Sequence, residues 1–206
     1  VWFPFYPLCM EHCVTETYAM VYECYRKMIA LYGGGNVSTC GFSSGGALAL
    51  GIAAHNNAQP EPLSQPRHIV AVSPGEVPWN DAEKARMQAL NERDVAIDYA
   101  FMVTVEKLMR HGCENVPDYM LSGSRGDFTG VGDIHFFYSA DEVQAVSLFP
   151  CLSHHIGRII EASDVCLRHS LINRHGQNTG SDRHLKQLTG EMLRNPGQCL
   201  FQIGVV

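Results

Sequence analysis

The first clear pattern along the chain is helical, and its apolar residues recur at spacings of three and four: Tyr18, Val21, Tyr25, Met28 and Tyr32. This spacing places their side chains on one face of a helix. The glycine-rich stretch at 33–36 should end that helix. The prolines and aromatic residues of 1–7 indicate the end of a strand before it.

Short apolar runs alternate with helical segments through the rest of the chain. The runs typical of buried strands are 37–42, 67–74, 133–140 and 164–171. The expected helices are 44–55, 80–90, 95–110, most of 142–163, and 181–195. Asn80 and Glu83 form a capping box for one of them. Strands that alternate with helices predict an α/β fold with a mainly parallel sheet, helices on both faces, and sites at the carboxyl ends of the strands.

Composition narrows the class of protein. A chain of 206 residues has the length of one domain, and 46% apolar with 17% charged residues is typical of a globular protein. The formal net charge of −6 offers no basic face for nucleic acid. No apolar run in the sequence reaches the length of a membrane span.

The cysteines suggest a reducing compartment. Eight are present, none forms a C-x-x-C pair, and several lie in apolar runs, where cysteine behaves as a small hydrophobic residue. We therefore expect reduced thiols and a cytoplasmic protein. Cys9, His12 and Cys13 lie close together but lack the second pair that metal sites usually supply, so we predict neither a metal nor a cofactor.

The candidate chemistry centres on a serine in a turn. Residues 41–45 match G-x-S-x-G, with Ser43 between a predicted strand and a predicted helix. A nucleophile elbow requires this setting, because its sharp turn exposes the central hydroxyl and needs small neighbours. The backbone N–H of Ser44 would then face a developing oxyanion. A capping serine in a glycine-rich turn explains the motif alone equally well.

A serine nucleophile needs a base, and the base needs an acid that orients it. In hydrolases with an elbow, the order along the chain is serine, acid, histidine. Asp141 and Glu142 follow one predicted strand, and His175 follows another. If these strands run parallel to the strand before Ser43, all of these residues lie at the same edge of the sheet.

Several stretches between Phe5 and His175 carry a family likeness: "FYPLCMEH", "YGGGNVSTCGFSSGGALALGIAAH", "HIVAVSP", "SGSRGDFTGVGDIHFFYSADEV" and "DVCLRHSLINRHG". Together they resemble the hormone-sensitive-lipase-like branch of the α/β-hydrolases, which comprises bacterial acetyl esterases and small lipases. The resemblance implies an α/β-hydrolase fold with Ser43 as the nucleophile and His175 as the general base. It also implies Asp141 as the orienting acid, with Glu142 as the fallback.

The sequence departs from that family at the oxyanion hole. The H-G-G-G segment, whose N–H groups form most of the hole in the family, is absent. The glycines at 33–35 are no substitute, because they lie in the turn that enters the elbow strand. We therefore expect an N-terminally truncated hydrolase in which the early strands are missing.

These observations predict a single, partial α/β-hydrolase domain over 1–206 with a helical cap-side insertion around 76–130. The predicted activity is that of a carboxylesterase or lipase acting on small, short-chain acyl esters. The alternative is a non-catalytic or incomplete hydrolase-like module that a second polypeptide, or a second copy in a homo-oligomer, completes. Peptidase or thioesterase chemistry on the same residues ranks third, since an elbow does not determine the leaving group.

Overall fold

The computed structural model describes residues 1–138, 142–146 and 199–203. The helices in these ranges are α1 (Val14–Tyr32), α2 (Ser44–Asn57), α3 (Asp81–Leu90), α4 (Tyr99–Met109) and α5 (Asp118–Leu121). The strands are β1 (Val37–Phe42), β2 (His68–Val72), β3 (Asp133–Phe137) and β4 (Cys199–Ile203). Short 3₁₀ turns lie at Gly34–Asn36, Gly123–Arg125 and Val143–Ala145.

The strands form one parallel sheet in the order β3-β2-β1-β4, which confirms the predicted α/β fold. Phe42 at the end of β1 is in register with Val72 of β2, and Val72 is in register with Phe137 of β3. These three strands therefore end together at one side of the sheet, which we call the carboxyl edge. The opposite side, where His68 and Asp133 begin their strands, is the amino edge.

Helix α1 buries the apolar stripe that its spacing predicts, except at its last residue, Tyr32, which is 43% exposed. The buried members are Tyr18, Val21, Tyr25 and Met28. A buried tyrosine needs a partner for its hydroxyl. The Tyr18 hydroxyl donates to the Tyr119 carbonyl at 3.1 Å, and that of Tyr25 donates to the Ser64 carbonyl at 2.6 Å. These bonds connect α1 to helix α5 and to the loop that contains Ser64.

Helix α2 packs against β1 and β2 on one side and against α1 on another. It is buried along most of its length, and its small residues permit the close packing. A Cβ atom at Gly51 would overlap the Tyr18 hydroxyl, so glycine allows α1 and α2 to approach each other. The Thr39 hydroxyl of β1 donates to the Ala49 carbonyl of α2 at 3.1 Å. The position of α2 behind β1 is thereby determined.

Some sequence predictions are wrong or fall outside the described residues. Residues 1–7 form no strand, because Pro4 and Pro7 have no N–H for a ladder, and only Trp2 makes an isolated bridge. Strand β4 was not predicted. Most of the helix expected at 142–163, the strand at 164–171 and the helix at 181–195 lie outside the described residues.

The expectation of reduced thiols is also wrong for one pair of cysteines. Cys13, directly before α1, forms a disulfide with Cys113, with their Cα atoms 5.8 Å apart. The residues are 100 positions apart in sequence, and no spacing rule joins them. Cys9, Cys24 and Cys40 are free thiols.

Helices α3 and α4 form a smaller apolar cluster with residues after β3. Met87 of α3 and Met102 of α4 are buried there with Val143 and Val146. The assignment of 76–130 as a cap-side insertion stays a prediction. In the part of the chain that the structure describes, no helix has the length together with the apolar composition that a membrane span needs.

Candidate active site

Ser43 occupies the turn between β1 and α2, at the carboxyl edge of the sheet. Its backbone has φ +47° and ψ −118°, a conformation that residues with side chains rarely adopt. Its side chain makes no hydrogen bond that caps α2 in the described turn. The geometry is therefore that of a strained elbow that presents a hydroxyl. The Ser43 side chain does not cap α2, which was the alternative explanation of the motif.

Hydrogen bonds to both the N–H and the carbonyl of Ser43 hold its backbone in this conformation. Its N–H donates to the Val72 carbonyl at 2.9 Å, and its carbonyl accepts from the N–H groups of Gly75 at 3.1 Å and Ala47 at 3.0 Å. Val72 ends β2, Gly75 lies in the loop after it, and Ala47 lies in α2. Strained backbone persists only where the surrounding structure over-determines it, and these bonds supply that constraint.

The turn also depends on glycine at position 46. A Cβ atom there would lie 3.1 Å from the Gly41 carbonyl oxygen, and 3.2 Å from both the Val72 carbonyl oxygen and the Pro74 Cα. All of these are backbone atoms, which cannot yield as a flexible side chain can. Gly46 therefore lets α2 begin directly against the ends of β1 and β2.

The start of α2 offers backbone donors next to the Ser43 hydroxyl. Ser43 is partly exposed, and Ser44, the first residue of α2, is exposed. The N–H groups of a helix's first turn lack intrahelical partners and carry partial positive charge, so an anion beside Ser43 would be stabilised there. The Ser44 hydroxyl lies 3.3 Å from that of Tyr6, whose pKa is raised by burial.

The segment 142–146 reaches the carboxyl edge with two polar side chains. The Ser43 hydroxyl donates a long hydrogen bond of 3.5 Å to the Gln144 amide oxygen, and the Ser73 hydroxyl donates to the Glu142 carboxylate at 3.0 Å. Ser73 follows β2 and, like Ser43, has a positive φ, of +44°. Ser73 and Gln144 could not be recognised from the sequence, because neither belongs to a motif or carries a charge.

The structure does not describe the predicted acid and base. Asp141 and His175 lie outside the described residues, so their approach to Ser43 stays a prediction. The fallback acid Glu142 lies at the carboxyl edge, where its carboxylate accepts a hydrogen bond from Ser73.

Glu76 is a buried carboxyl group that sequence analysis did not single out. It is 0% exposed, and it accepts hydrogen bonds from the Ser124 hydroxyl at 2.9 Å and the Ser124 N–H at 3.3 Å. Burial raises its pKa to about 7, although the bonds from Ser124 oppose the rise. Glu76 follows Gly75, whose N–H donates to the Ser43 carbonyl. The hydrogen bonds between Glu76 and Ser124 therefore also fix the loop that supports the turn at Ser43.

The polar side chains described near Ser43 carry hydroxyl, amide and carboxylate groups. The group of described residues whose ligand atoms could hold a metal ion lies elsewhere, and it comprises His68, Asp133 and His135. These residues belong to β2 and β3, and His68 and Asp133 begin their strands at the amino edge.

Comparison with solved structures relates the fold to that of esterases, whereas no protein-family model and no curated protein matches the sequence. A candidate esterase from Staphylococcus aureus aligns over 98% of this chain and 54% of its own, at 20% identity and a TM-score of 0.56. An esterase from the bacterial hormone-sensitive lipase (HSL) family aligns over 68% of this chain and 46% of its own, at 20% identity and a TM-score of 0.56. Esterase E25 aligns over 97% of this chain and 49% of its own, at 14% identity and a TM-score of 0.55.

The chain thus spans about half the length of the structures that it matches. At these identities the likeness concerns the arrangement of the backbone. The parallel sheet and the helices that pack against it agree with that arrangement. The protein has the α/β-hydrolase fold of these esterases.

Proposed function

We propose that the protein is a serine carboxylic-ester hydrolase that acts on small, short-chain acyl esters. The observation that carries this proposal is the strained Ser43 backbone, held by hydrogen bonds between the end of a parallel strand and the start of a helix. Strain that the surroundings maintain is typical of functional sites. The fold shared with solved esterases favours the same class of reaction by analogy.

The proposed reaction uses three side chains and one backbone donor. His175 removes the Ser43 hydroxyl proton as the Ser43 oxygen bonds to the ester carbonyl carbon, and Asp141 orients the imidazole. The carbonyl oxygen becomes an oxyanion, which the Ser44 N–H stabilises. The bond to the alcohol then breaks, and the alcohol takes the proton from His175. Water then gives a proton to His175 as its oxygen bonds to the acyl carbon. The bond from that carbon to the Ser43 oxygen breaks, the Ser43 oxygen takes the proton back from His175, and the carboxylic acid leaves.

The preference for small esters rests on the surroundings of Ser43. Phe42, next to it in sequence, is 51% exposed and offers apolar surface to a small acyl or alcohol group. The segment between Trp79 and Tyr119 is mixed in polarity, and it lacks the long apolar stretch that would cover a long acyl chain. Short-chain aryl esters are therefore the substrates of choice for a first test.

The test compares hydrolysis of short aryl esters by the wild type, Ser43→Ala and Ser44→Ala. We expect Ser43→Ala to lose activity by about 10³-fold or more, because the attacking oxygen is gone. Ser44→Ala is the matched control, since it removes a neighbouring hydroxyl and keeps the backbone N–H. Equal rates for the wild type and Ser43→Ala would reject the proposal.

The choice of acid is tested with two neighbouring amide variants. Asp141→Asn should lower turnover by about 10⁴-fold, because an amide would hold the histidine in the wrong tautomer. Glu142→Gln should have a much smaller effect, since the Glu142 carboxylate bonds to Ser73. A larger loss in Glu142→Gln than in Asp141→Asn would assign the role to the fallback acid.

The second candidate is an incomplete hydrolase-like module that a second polypeptide or a second copy of the chain completes. One observation motivates it: the 206 residues contain no H-G-G-G segment to supply further oxyanion donors beside Ser43. Labelling with a fluorophosphonate probe discriminates, since only an activated serine reacts. Labelling of the wild type but not of Ser43→Ala supports the esterase, and a folded wild type that resists the probe supports the incomplete module.

A further inference from the structure

One cluster of side chains that commonly ligate metals lies away from Ser43. His68 begins β2, and Asp133 and His135 lie on the neighbouring strand β3. His68 is in register with Asp133, and residues two apart in a strand point to the same face of a sheet. The three side chains therefore share one face of two adjacent strands. One ligand atom from each lies within 4.8 Å of the other two.

The separations are close to those of a bound metal ion. The Nδ1 atom of His68 lies 3.4 Å from the Asp133 carboxylate. A tetrahedral Zn²⁺ ion with bonds of about 2.1 Å keeps its ligand atoms about 3.4 Å apart, so this pair is already at ligand spacing. The remaining separations are all within 4.8 Å, so they need to close by at most about 1.4 Å, which side-chain rotation can supply.

The donor set indicates which ion would bind. Two imidazoles and one carboxylate suit Zn²⁺ and related transition metals, whereas Ca²⁺ and Mg²⁺ prefer oxygen ligands alone. The His68 side chain is 23% exposed and that of Asp133 is 52% exposed, so an ion has access from solvent. Three protein ligands leave one tetrahedral position for water.

We propose that His68, Asp133 and His135 bind a divalent transition-metal ion, with Zn²⁺ the best fit, that clamps β3 to β2. His68 lies four residues before Val72 in β2, or about 13 Å along the strand, and Val72 is the residue that holds the Ser43 N–H. The ion therefore has a structural role and takes no part in chemistry at Ser43. The proposal of this metal site does not depend on the proposed esterase activity, and the two are tested separately.

The first experiment titrates the metal-stripped full chain with Co²⁺ and follows optical absorption. The chain also holds free thiols, and a thiolate ligand would add a sulfur-to-metal charge-transfer band. We expect one Co²⁺ bound without that band, displacement by Zn²⁺, and a higher melting temperature for the Zn²⁺ form. A spectrum dominated by the thiolate band, or no binding, would overturn the proposal.

The second experiment repeats the titration on variants. His68→Gln and His135→Gln should each weaken binding at least tenfold, since each removes a ligand while keeping a side chain of similar size. His12→Gln is the matched control, because His12 forms a His–carboxylate pair with Glu16 on α1. Ser43→Ala should also bind as the wild type does. Near-UV circular dichroism without metal verifies folding, and unchanged affinity in the folded His68 and His135 variants would contradict the site.

Discussion

Ser43 and Ser73 are the residues whose backbones decide the shape of the carboxyl edge. Each follows a strand, each has a positive φ, and the two strands are neighbours. Their hydroxyls bond to Gln144 and Glu142, which belong to one short segment after β3. Strain and polar contacts thus converge where the ends of β1, β2 and β3 meet, the edge at which parallel sheets place their sites.

Gly46→Ala should damage the elbow through backbone crowding. The new Cβ would lie 3.1–3.2 Å from atoms of Gly41, Val72 and Pro74, and only a shift of the strand ends could relieve this. We expect the free energy of unfolding to fall by about 1–3 kcal/mol. We also expect fluorophosphonate labelling of Ser43 to slow. Urea denaturation and labelling rates measure the two effects.

Gly35→Ala is the matched control for that variant. Gly35 is exposed, and a Cβ atom there meets nothing within 4 Å. Its free energy of unfolding should stay within about 0.5 kcal/mol of the wild type. The crowding account fails if both alanine variants behave alike.

Glu76→Gln should change how stability depends on pH. The pKa of this carboxyl is raised by burial from its ordinary value of 4.5 to about 7. Between these values the folded state holds the proton and the unfolded state does not, so the free energy of unfolding falls as pH rises through the window. The total loss is at most about 3 kcal/mol. Gln cannot ionise, so the free energy of unfolding of the variant should lack this decrease between pH 4.5 and 7.5. Urea denaturation at pH 4.5, 6 and 7.5 measures the difference from the wild type.

A second variant tests the cause of that pH dependence. Hydrogen bonds from Ser124 favour the ionised form of Glu76 and hold its pKa down. Ser124→Ala removes one of them, so the pKa should rise further and the loss of stability should extend to higher pH. Identical pH profiles for the wild type and Glu76→Gln would show that Glu76 does not titrate in this range.

At the scale of the elements, the start of α3 depends on a side-chain cap. The Asn80 side chain accepts from the Glu83 N–H at 2.9 Å, and the Glu83 carboxylate accepts from the Trp79 N–H at 2.8 Å. Asn80→Ala should lower the free energy of unfolding by about 1 kcal/mol, measured by urea denaturation. Gln88→Ala, at an exposed position inside α3, should leave it nearly unchanged. If Asn80→Ala and Gln88→Ala lower the free energy of unfolding equally, the Asn80 cap does not stabilise the helix.

Elements with a strong local pattern could be predicted from the sequence. The spacing of apolar residues locates α1, and the Asn80 cap locates the start of α3. The turn at Ser43 also follows from local chemistry, because its glycines and its place between strand and helix require a sharp bend. Residues close together in sequence determine these elements, so they can be recognised from the sequence alone.

Features that depend on distant contacts could not be predicted. Nothing local in residues 199–203 indicates that this run pairs with β1. The pairing of Cys13 with Cys113 joins positions 100 residues apart. The burial that raises the pKa of Glu76, and the hydrogen bonds from Ser124 that oppose the rise, likewise depend on parts of the chain that are distant in sequence. Long-range packing decides such features, and local sequence carries little of that information.

At the scale of the whole molecule, the Cys13–Cys113 disulfide links the start of α1 to the chain beyond α4. It closes a loop across a sequence separation of 100 residues, which contains β1, α2 and β2. Closing a loop of this length lowers the conformational entropy of the unfolded chain. This raises the free energy of unfolding by about 4.7 kcal/mol in the loop-entropy model, and typically by about 2–4 kcal/mol in measurements on proteins. Cys113→Ser should therefore lower the free energy of unfolding by roughly 2–4 kcal/mol in urea denaturation without reductant.

Reductant separates the effect of the bond from the effect of the serine side chain. With a reductant present, the wild type and Cys113→Ser should unfold alike, because both then have an unrestricted unfolded chain. Cys24→Ser changes a free thiol on α1 and should leave the disulfide contribution intact. Because the bond acts on the unfolded state, fluorophosphonate labelling of folded Cys113→Ser should match the wild type. A difference in stability that persists under reductant would attribute the effect to packing around Cys113 instead.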